Sequence, residues 1–285
     1  MPHRTVAFVV LASMLAGLSA CGEPAAPPTP PSADLAAFEG LEGTIHIAGG
    51  TAHIPVMEEA AKRIQQAWPS IRITVGGGGS GVGIQKAGEG LVDIGNAGRA
   101  LKDGERSKYP DLRSHAFAVD GVAVAVHPSN PVRSLTTEQA RLVFAGQITS
   151  WSELGGPDRS INLYTRDEAS GTREVFWKKL LGKGEIATGA NVVTSNGGMK
   201  TALASDESGL GYLSIGHVDD RVGPVAIDGV EPTQENAKSG SYPIVRRLYM
   251  NTRGEPTPLV AAFLAYVRSG EGATITESAG YIPTR

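Results

Sequence analysis

Arg166 and Arg173 bracket Ser170-Gly171-Thr172 in the stretch YTRDEASGTREVFW, residues 164–177. Small residues and hydroxyls suit a helix start, because Ser and Thr cap the unpaired amides there. Arginines on both sides add positive charge and bidentate donors, a pattern for holding something negative. Two other stretches share this composition, AGGTAHIP at 48–55 and GGGGSG at 76–81. Each sets a hydroxyl, Thr51 or Ser80, among small residues ahead of a helical segment. Helix N-termini carry orphan N–H groups and partial positive charge. Glycine lets a ligand approach that backbone closely. Three such junctions in one chain predict a cage for an oxyanion.

Other chemistries fit less well. GGGGS alone could be a flexible linker, but here it lies between a strand pattern and a helical one. Gly76-x-Gly78-x-x-Gly81 matches a dinucleotide fingerprint, yet no acidic residue ends a further strand at the required distance. No Lys-Ser/Thr follows the glycines, which excludes a P-loop. Arg166 and Arg173 could instead pair with Asp167, Glu168 or Glu174, as surface arginines commonly do. A hydrolase would use Ser80 or Ser170 with His53 or His127 as base. Neither serine sits in a Gly-x-Ser-x-Gly elbow. The six histidines form no i, i+4 pair, so no zinc peptidase motif is present, and no cofactor is expected.

These junctions need strands to launch them and helices to receive them, and the chain supplies both. GTIHIA, IRITV and LVDIGNA read as strands. PVMEEAAKRIQQAW reads as a helix, with Val56, Ala60 and Ile64 at i, i+4, i+8 and Pro55 in its first turn. GGGGSGVG is expected to be a loop, and SHAFAVDGVAVAVH one or two strands broken at Asp120-Gly121. Further on, INLYT, NVVTS, LGYLSI and YPIVRRLYM alternate with the helical stretches TTEQARLVFAG, SGTREVFWKKLLG, NGGMKTALAS and TPLVAAFLAYVRSG. Such βαβ repetition predicts α/β architecture. With 285 residues, two α/β lobes are the economical reading, with the ligand in the cleft between them. The crossings are expected near 125–130 and 238–245, giving one lobe of 41–126 plus 241–285 and another of 127–240.

Composition bounds the partners. Charged residues make up 19% and the net charge is −3, so there is no basic field for nucleic acid. Anion binding would have to rest on a local site. Residues 1–21 read as a signal segment, with the apolar run VAFVVLASMLAGL leading to Leu-Ser-Ala-Cys21. Cys21 is the only cysteine and falls where a bacterial lipobox needs its lipidated residue. Residues 22–40, rich in Pro and Ala at their start, are expected to be an extended tether.

Together these pieces resemble the substrate-binding proteins of bacterial phosphate ABC importers. The likeness runs from about residue 43 to the C-terminus through IAGGTAHIPVMEEAAKR, GGGGSGVGIQKAGEGLVDIGNAGRALK, DGVAVAVHPSNPV, ITSWSELGG, RDEASGTREVFW, GLGYLSIG and YPIVRRLYMNT. The resemblance implies the two-lobed periplasmic-binding-protein fold, each lobe a mixed, mostly parallel sheet flanked by helices. It implies a monomer, anchored by lipid outside the cytoplasm, that delivers inorganic phosphate to a permease and its ATPase. Sulfate or molybdate are the alternative guests. Carried over, the family's phosphate loops fall on Thr51 and Ala52, on Ser80 with the Gly81 amide, and on Arg166, Ser170, Gly171 and Thr172. Arg99, Asp120 and Arg173 are lesser candidates. One branch of the family has Ala-Ser-Asp after the third strand, and its Asp accepts the proton that phosphate carries and sulfate lacks. Here the stretch reads Asn96-Ala97-Gly98-Arg99, nearer a branch with Ser-Ser-Arg. Asp120 is therefore expected to take that proton or to fix Arg99.

Overall fold

Strand β1 (Gly43–Gly49) lies between β2 (Ile71–Gly78) and β3 (Ile94–Ala97), all parallel. Helices α1 (Ile54–Ala67) and α2 (Gly79–Gly88) make the crossovers. In this computed structural model the described residues are Met1 and 32–284. Helix α1 turns Val56, Met57, Ala60, Ala61 and Ile64 into the core, the stripe its periodicity predicts. The expected glycine loop is absent. Strand β2 runs through Gly78, and Gly78 and Gly79, with φ of 127° and 86°, turn it directly into α2. Only glycine adopts such angles without strain.

A short helix α3 (Asp103–Lys108) leads to β4 (Leu112–Val126), which is one unbroken strand. Asp120-Gly121 marks a change of partner instead of a break. Leu112–Gly121 pair antiparallel with β10 (Val245–Arg253), and Val122–Val126 pair antiparallel with β8 (Gly209–Ser214). Gly121 is required there, because an added Cβ would lie 2.1 Å from Ile215.

Beyond this crossing come β5 (Ser134–Leu135), α4 (Thr137–Phe144), β6 (Asn162–Arg166), α5 (Gly171–Lys179), β7 (Asn191–Val193), α6 (Asn196–Ser205), β9 (Gly223–Ile227) and α7 (Gln234–Ser239). Strand β6 is parallel to both β7 and β8. Past β10 the chain adds α8 (Pro258–Val267), α9 (Gly270–Ser278) and β11 (Ile282–Pro283). The main strand order is β2-β1-β3-β10-β4-β8-β6-β7. The βαβ edges are thus parallel, and the strands that cross between halves are antiparallel.

Two main cores result. One gathers Ile45, Val56, Ile64, Phe117, Leu248 and Phe263, the other Val122, Val124, Phe144, Trp151, Phe176 and Tyr212. Val122–Val126, assigned by sequence to the first lobe, pair with β8, and Val122, Ala123, Val124 and Val126 pack in the second core. Part of the expected tether is folded. Asp34 accepts the Glu271 amide at 2.9 Å, Leu35 accepts the Trp68 indole at 2.9 Å, and Phe38 is fully buried against Tyr266. Residues 34–38 therefore belong to the folded body, because Phe38 supplies apolar surface that an extended tether could not bury. The expected signal segment, Cys21 and residues 22–31 lie outside the described residues. Among the described residues no helix is long and apolar enough to cross a membrane.

Candidate anion-binding site

Each predicted corner forms where a strand hands over to a helix. Between β1 and α1, the Thr51 hydroxyl oxygen accepts from the Asn196 backbone amide at 3.2 Å and from its side-chain amide at 3.1 Å. Its lone pairs are taken, so its hydrogen is left to donate. At the start of α2, the Ser80 oxygen accepts from the Gly98 amide at 2.9 Å. At the start of α5, Ser170 is the N-cap, and its oxygen accepts from the Arg173 amide at 3.2 Å. These two hydroxyls also keep their hydrogens for a guest. Gly171 and Thr172 open α5, so their amides have no intrahelical partner.

Arg166 ends β6 and is only 2% exposed. It donates from Nε to the Val193 carbonyl at 3.0 Å, from Nη2 to Thr194 at 2.9 Å and from Nη1 to Asn196 Oδ1 at 3.4 Å. A guanidinium has five N–H groups, so those three bonds hold it rigid and leave donors on both terminal nitrogens. Burial lowers its pKa to about 10, Arg246 adding to the fall and Asp167 and Tyr212 opposing it. It therefore stays charged at neutral pH.

Arg246 on β10 is the site residue that sequence reasoning missed. Its Nε and Nη2 lie 2.9 and 2.8 Å from Asp120 Oδ2, while Ser214 donates to Oδ1 at 2.8 Å. A signal was present in YPIVRRLYM. Arg246 alternates in phase with Ile244, Leu248 and Met250, all buried. A charge on the inward phase of a strand calls for a partner or a ligand.

Thr51, Ala52, Ser80, Arg166, Ser170, Gly171 and Thr172 do meet around one small cavity, joined by Gly50, His53, Gly79, Gly98 and Arg246. Close approach is built into it. A Cβ on Gly171 would lie 2.2 Å from Ser80 Oγ, and one on Gly98 would lie 2.6 Å from Arg246 Nη1. This explains Gly98 where a serine was the resemblance's expectation: the Arg246 guanidinium occupies the space.

Four candidates stand elsewhere. The Gly81 amide donates to the Ala169 carbonyl at 3.0 Å, so it joins the two halves and is not available to a guest. Arg99 is held by Glu105 at 2.7 Å and Glu174 at 2.9 Å, and both its charge and its donors are satisfied there. Asp120 does not line the cavity. It fixes Arg246, not Arg99; burial pushes its carboxyl pKa up, and the Arg246 charge and the bonds from Arg246 and Ser214 oppose that rise. Arg173 lines a separate groove of about 620 Å³ beside Lys102, Trp177 and Lys183.

The hydrolase geometry is not assembled. Ser80 and Ser170 bond backbone amides, and among the described residues neither bonds a histidine. His127 Nδ1 lies 2.7 Å from Ser129, in an exposed turn. His53 is fully buried, and its pKa falls to about 3 through burial and then the Arg246 charge, against the Tyr249, Gly50 and Ala97 carbonyls. His217, 3.2 Å from the Thr51 carbonyl, falls to about 4, again mainly by burial. Both rings are neutral near pH 7. The charged lining side chains are then two guanidiniums, with one carboxylate behind Arg246. Three helix N-termini face the same space. The arrangement can hold an oxyanion by donors fixed in advance.

Two α/β lobes meeting over a buried, donor-lined cavity define a two-lobed solute-binding protein. The family described as "PBP superfamily domain" matches residues 36–271. A relative from Bacillus subtilis (strain 168), "Phosphate-binding protein PstS", is 34% identical over 99% of this chain and 94% of its own length. The chain belongs to the periplasmic-binding-protein superfamily and, within it, to the phosphate-binding proteins of phosphate ABC transporters. A substrate-binding protein from Clostridium perfringens, solved with bound phosphate, is 33% identical with a TM-score of 0.81, covering 85% of this chain and 100% of that one. An ABC-type phosphate transport receptor from Vibrio cholerae is 32% identical with a TM-score of 0.67, covering 84% and 99%.

Proposed function

We propose that this protein captures inorganic phosphate between its lobes, outside the cytoplasm, and presents it to an ABC permease driven by its ATPase. The carrying observation is the pair of buried guanidiniums, Arg166 and Arg246, in a cavity whose hydroxyl oxygens already accept from amides and so keep their hydrogens to donate. Burying two such charges is costly unless anions compensate them, and Asp120 compensates one. The ligand set is Thr51, Ala52, Ser80, Arg166, Ser170, Gly171 and Thr172, with Arg246 added. The lobes divide in β4 near Gly121 and again near Ile244, where the sheet partners and cores change. The protein acts by binding, as a monomer, without turnover. Cys21 carries the lipid that anchors it.

Calorimetry against phosphate, sulfate and molybdate tests the reading. Tight phosphate binding is expected, and a stronger preference for either other anion would overturn it. Sustained hydrolysis of a phosphate ester would instead make the protein an enzyme. Fatty-acid labelling lost in Cys21→Ser would support the anchor.

A further inference from the structure

The cavity surrounds its guest with donors, yet one buried side chain in its lining offers a lone pair. His53 precedes α1 and is fully buried. Its Nε2 lies 3.1 Å from the Tyr249 carbonyl. A carbonyl can only accept, so Nε2 carries the hydrogen, and the neutral ring leaves Nδ1 as an acceptor. Among the described residues Nδ1 has no hydrogen-bond partner, and the Gly50 and Ala97 carbonyls near the ring make no hydrogen bond to it. That edge of the ring faces Gly50, another lining residue, where an added Cβ would lie 2.8 Å from Nδ1. The ring cannot easily turn away, since Phe117 packs 5.5 Å from its centre and Tyr249 holds the opposite edge.

We infer that His53 Nδ1 accepts the hydrogen bond of a protonated oxyanion, and so selects phosphate, or arsenate, over fully ionised sulfate. Asp120 is not available for this role, because its oxygens are bound to Arg246 and Ser214. The inference rests on the phosphate-capture reading and adds the group that discriminates. A protonated guest gives Nδ1 a partner. Sulfate has no proton to give, so it leaves a buried acceptor unpaired and sets an anionic oxygen against a lone pair. Leaving one buried acceptor unsatisfied is sufficient for large discrimination. Burial first, and then the Arg246 charge, keep the ring neutral and so preserve its acceptor character.

The test is calorimetry with phosphate, arsenate and sulfate on the full chain and on His53→Leu and His53→Asn. The unaltered protein should bind phosphate and arsenate far more tightly than sulfate. His53→Leu removes the lone pair and should reduce the phosphate-to-sulfate affinity ratio by about tenfold or more. His53→Asn can present its amide oxygen near the position of Nδ1 and should retain most of the ratio. It also supplies the comparison should the leucine variant fold poorly. An unchanged ratio in both variants overturns the inference while leaving phosphate capture intact. Equal loss of all three anions in both variants also overturns it, since His53 would then only support the loop. An unaltered protein that binds none of the three overturns the capture reading together with this one.

Discussion

The donor-lined cavity and the groove beside it use similar residue types to opposite effect. The groove is the larger, at about 620 Å³, and carries Lys102, Arg173, Lys178 and Lys183 among Glu168, Glu174 and Glu185. Three of these four cations have carboxylates close by: Lys102 and Lys178 lie 3.0 and 2.7 Å from Glu174, and Arg173 lies 3.9 Å from Glu168. Water screens what remains. The cavity has two guanidiniums, both nearly dry, and one carboxylate behind them. On the capture reading, neither volume nor charge count marks a binding site. Donors held out of water, and fixed by bonds on their far side, do.

Removing an arginine from each region should separate them most sharply. Arg166→Ala is expected to weaken phosphate binding by about 3–5 kcal/mol, or two to four orders of magnitude in Kd, as for one partner of a buried charged pair. Arg173→Ala should change Kd less than threefold, an effect of a few tenths of a kcal/mol at an exposed pair. Calorimetry on both variants checks this. Comparable losses would erase the distinction between cavity and groove.

Stability offers the next contrast. Arg246→Met leaves Asp120 buried without its cation and should cost about 3–5 kcal/mol in denaturant unfolding. Adding Asp120→Asn should restore most of that loss, since the orphaned charge is gone. Breaking the exposed pair Arg159–Glu207, at 2.8 Å, by Arg159→Met should leave the unfolding midpoint nearly unchanged.

The same asymmetry explains what the sequence could reveal. Thr51, Ser80, Ser170 and Arg166 were legible because local chemistry sets them: glycine and hydroxyl ahead of a helix is a short-range pattern. The βαβ order was legible from periodicity for the same reason. Arg246, by contrast, depends on Asp120, 126 positions away, across the β4–β10 pairing. Long-range register is not written in a window of a few residues. The continuity of β4 escaped for a related reason: Asp120-Gly121 has the composition of a turn, but two sheets pair with it, one on each side of the change of partner. Gly81 and Arg99 have the residue types a ligand site needs, and only tertiary contacts reveal that Ala169, Glu105 and Glu174 occupy them.

Acid should act on the dry region before the wet one. His53 and His217 have folded pKa values of about 3 and about 4, against 6.5 when exposed. Below about pH 6.5 the unfolded chain takes up protons that the folded chain refuses, so stability is lost as pH falls through that window toward 4. By pH 5 each ring should account for about 2 kcal/mol. Thermal melts between pH 7 and 5 should show the fall, and His217→Gln should remove about half of its slope. A flat profile would mean that the two rings are not held neutral by burial.

The smallest effect is expected where the two regions adjoin. Glu174 on α5 takes Arg99, which follows β3, at 2.9 Å, and so ties the two halves beside the cavity. It is 13% exposed, between the dry lining and the open groove. Glu174→Gln removes the charge but keeps the shape, and Arg99 retains Glu105. Phosphate affinity should fall by about 1 kcal/mol or less, as for a partly solvated pair. The change should appear as faster release with little change in capture rate, because the tie forms only after the halves meet. Added salt should shrink the difference between the variant and the unaltered protein. Stopped-flow release at two ionic strengths measures this. A loss as large as that of Arg166→Ala, insensitive to salt, would move Glu174 from the rim of the groove into the energetics of the cavity.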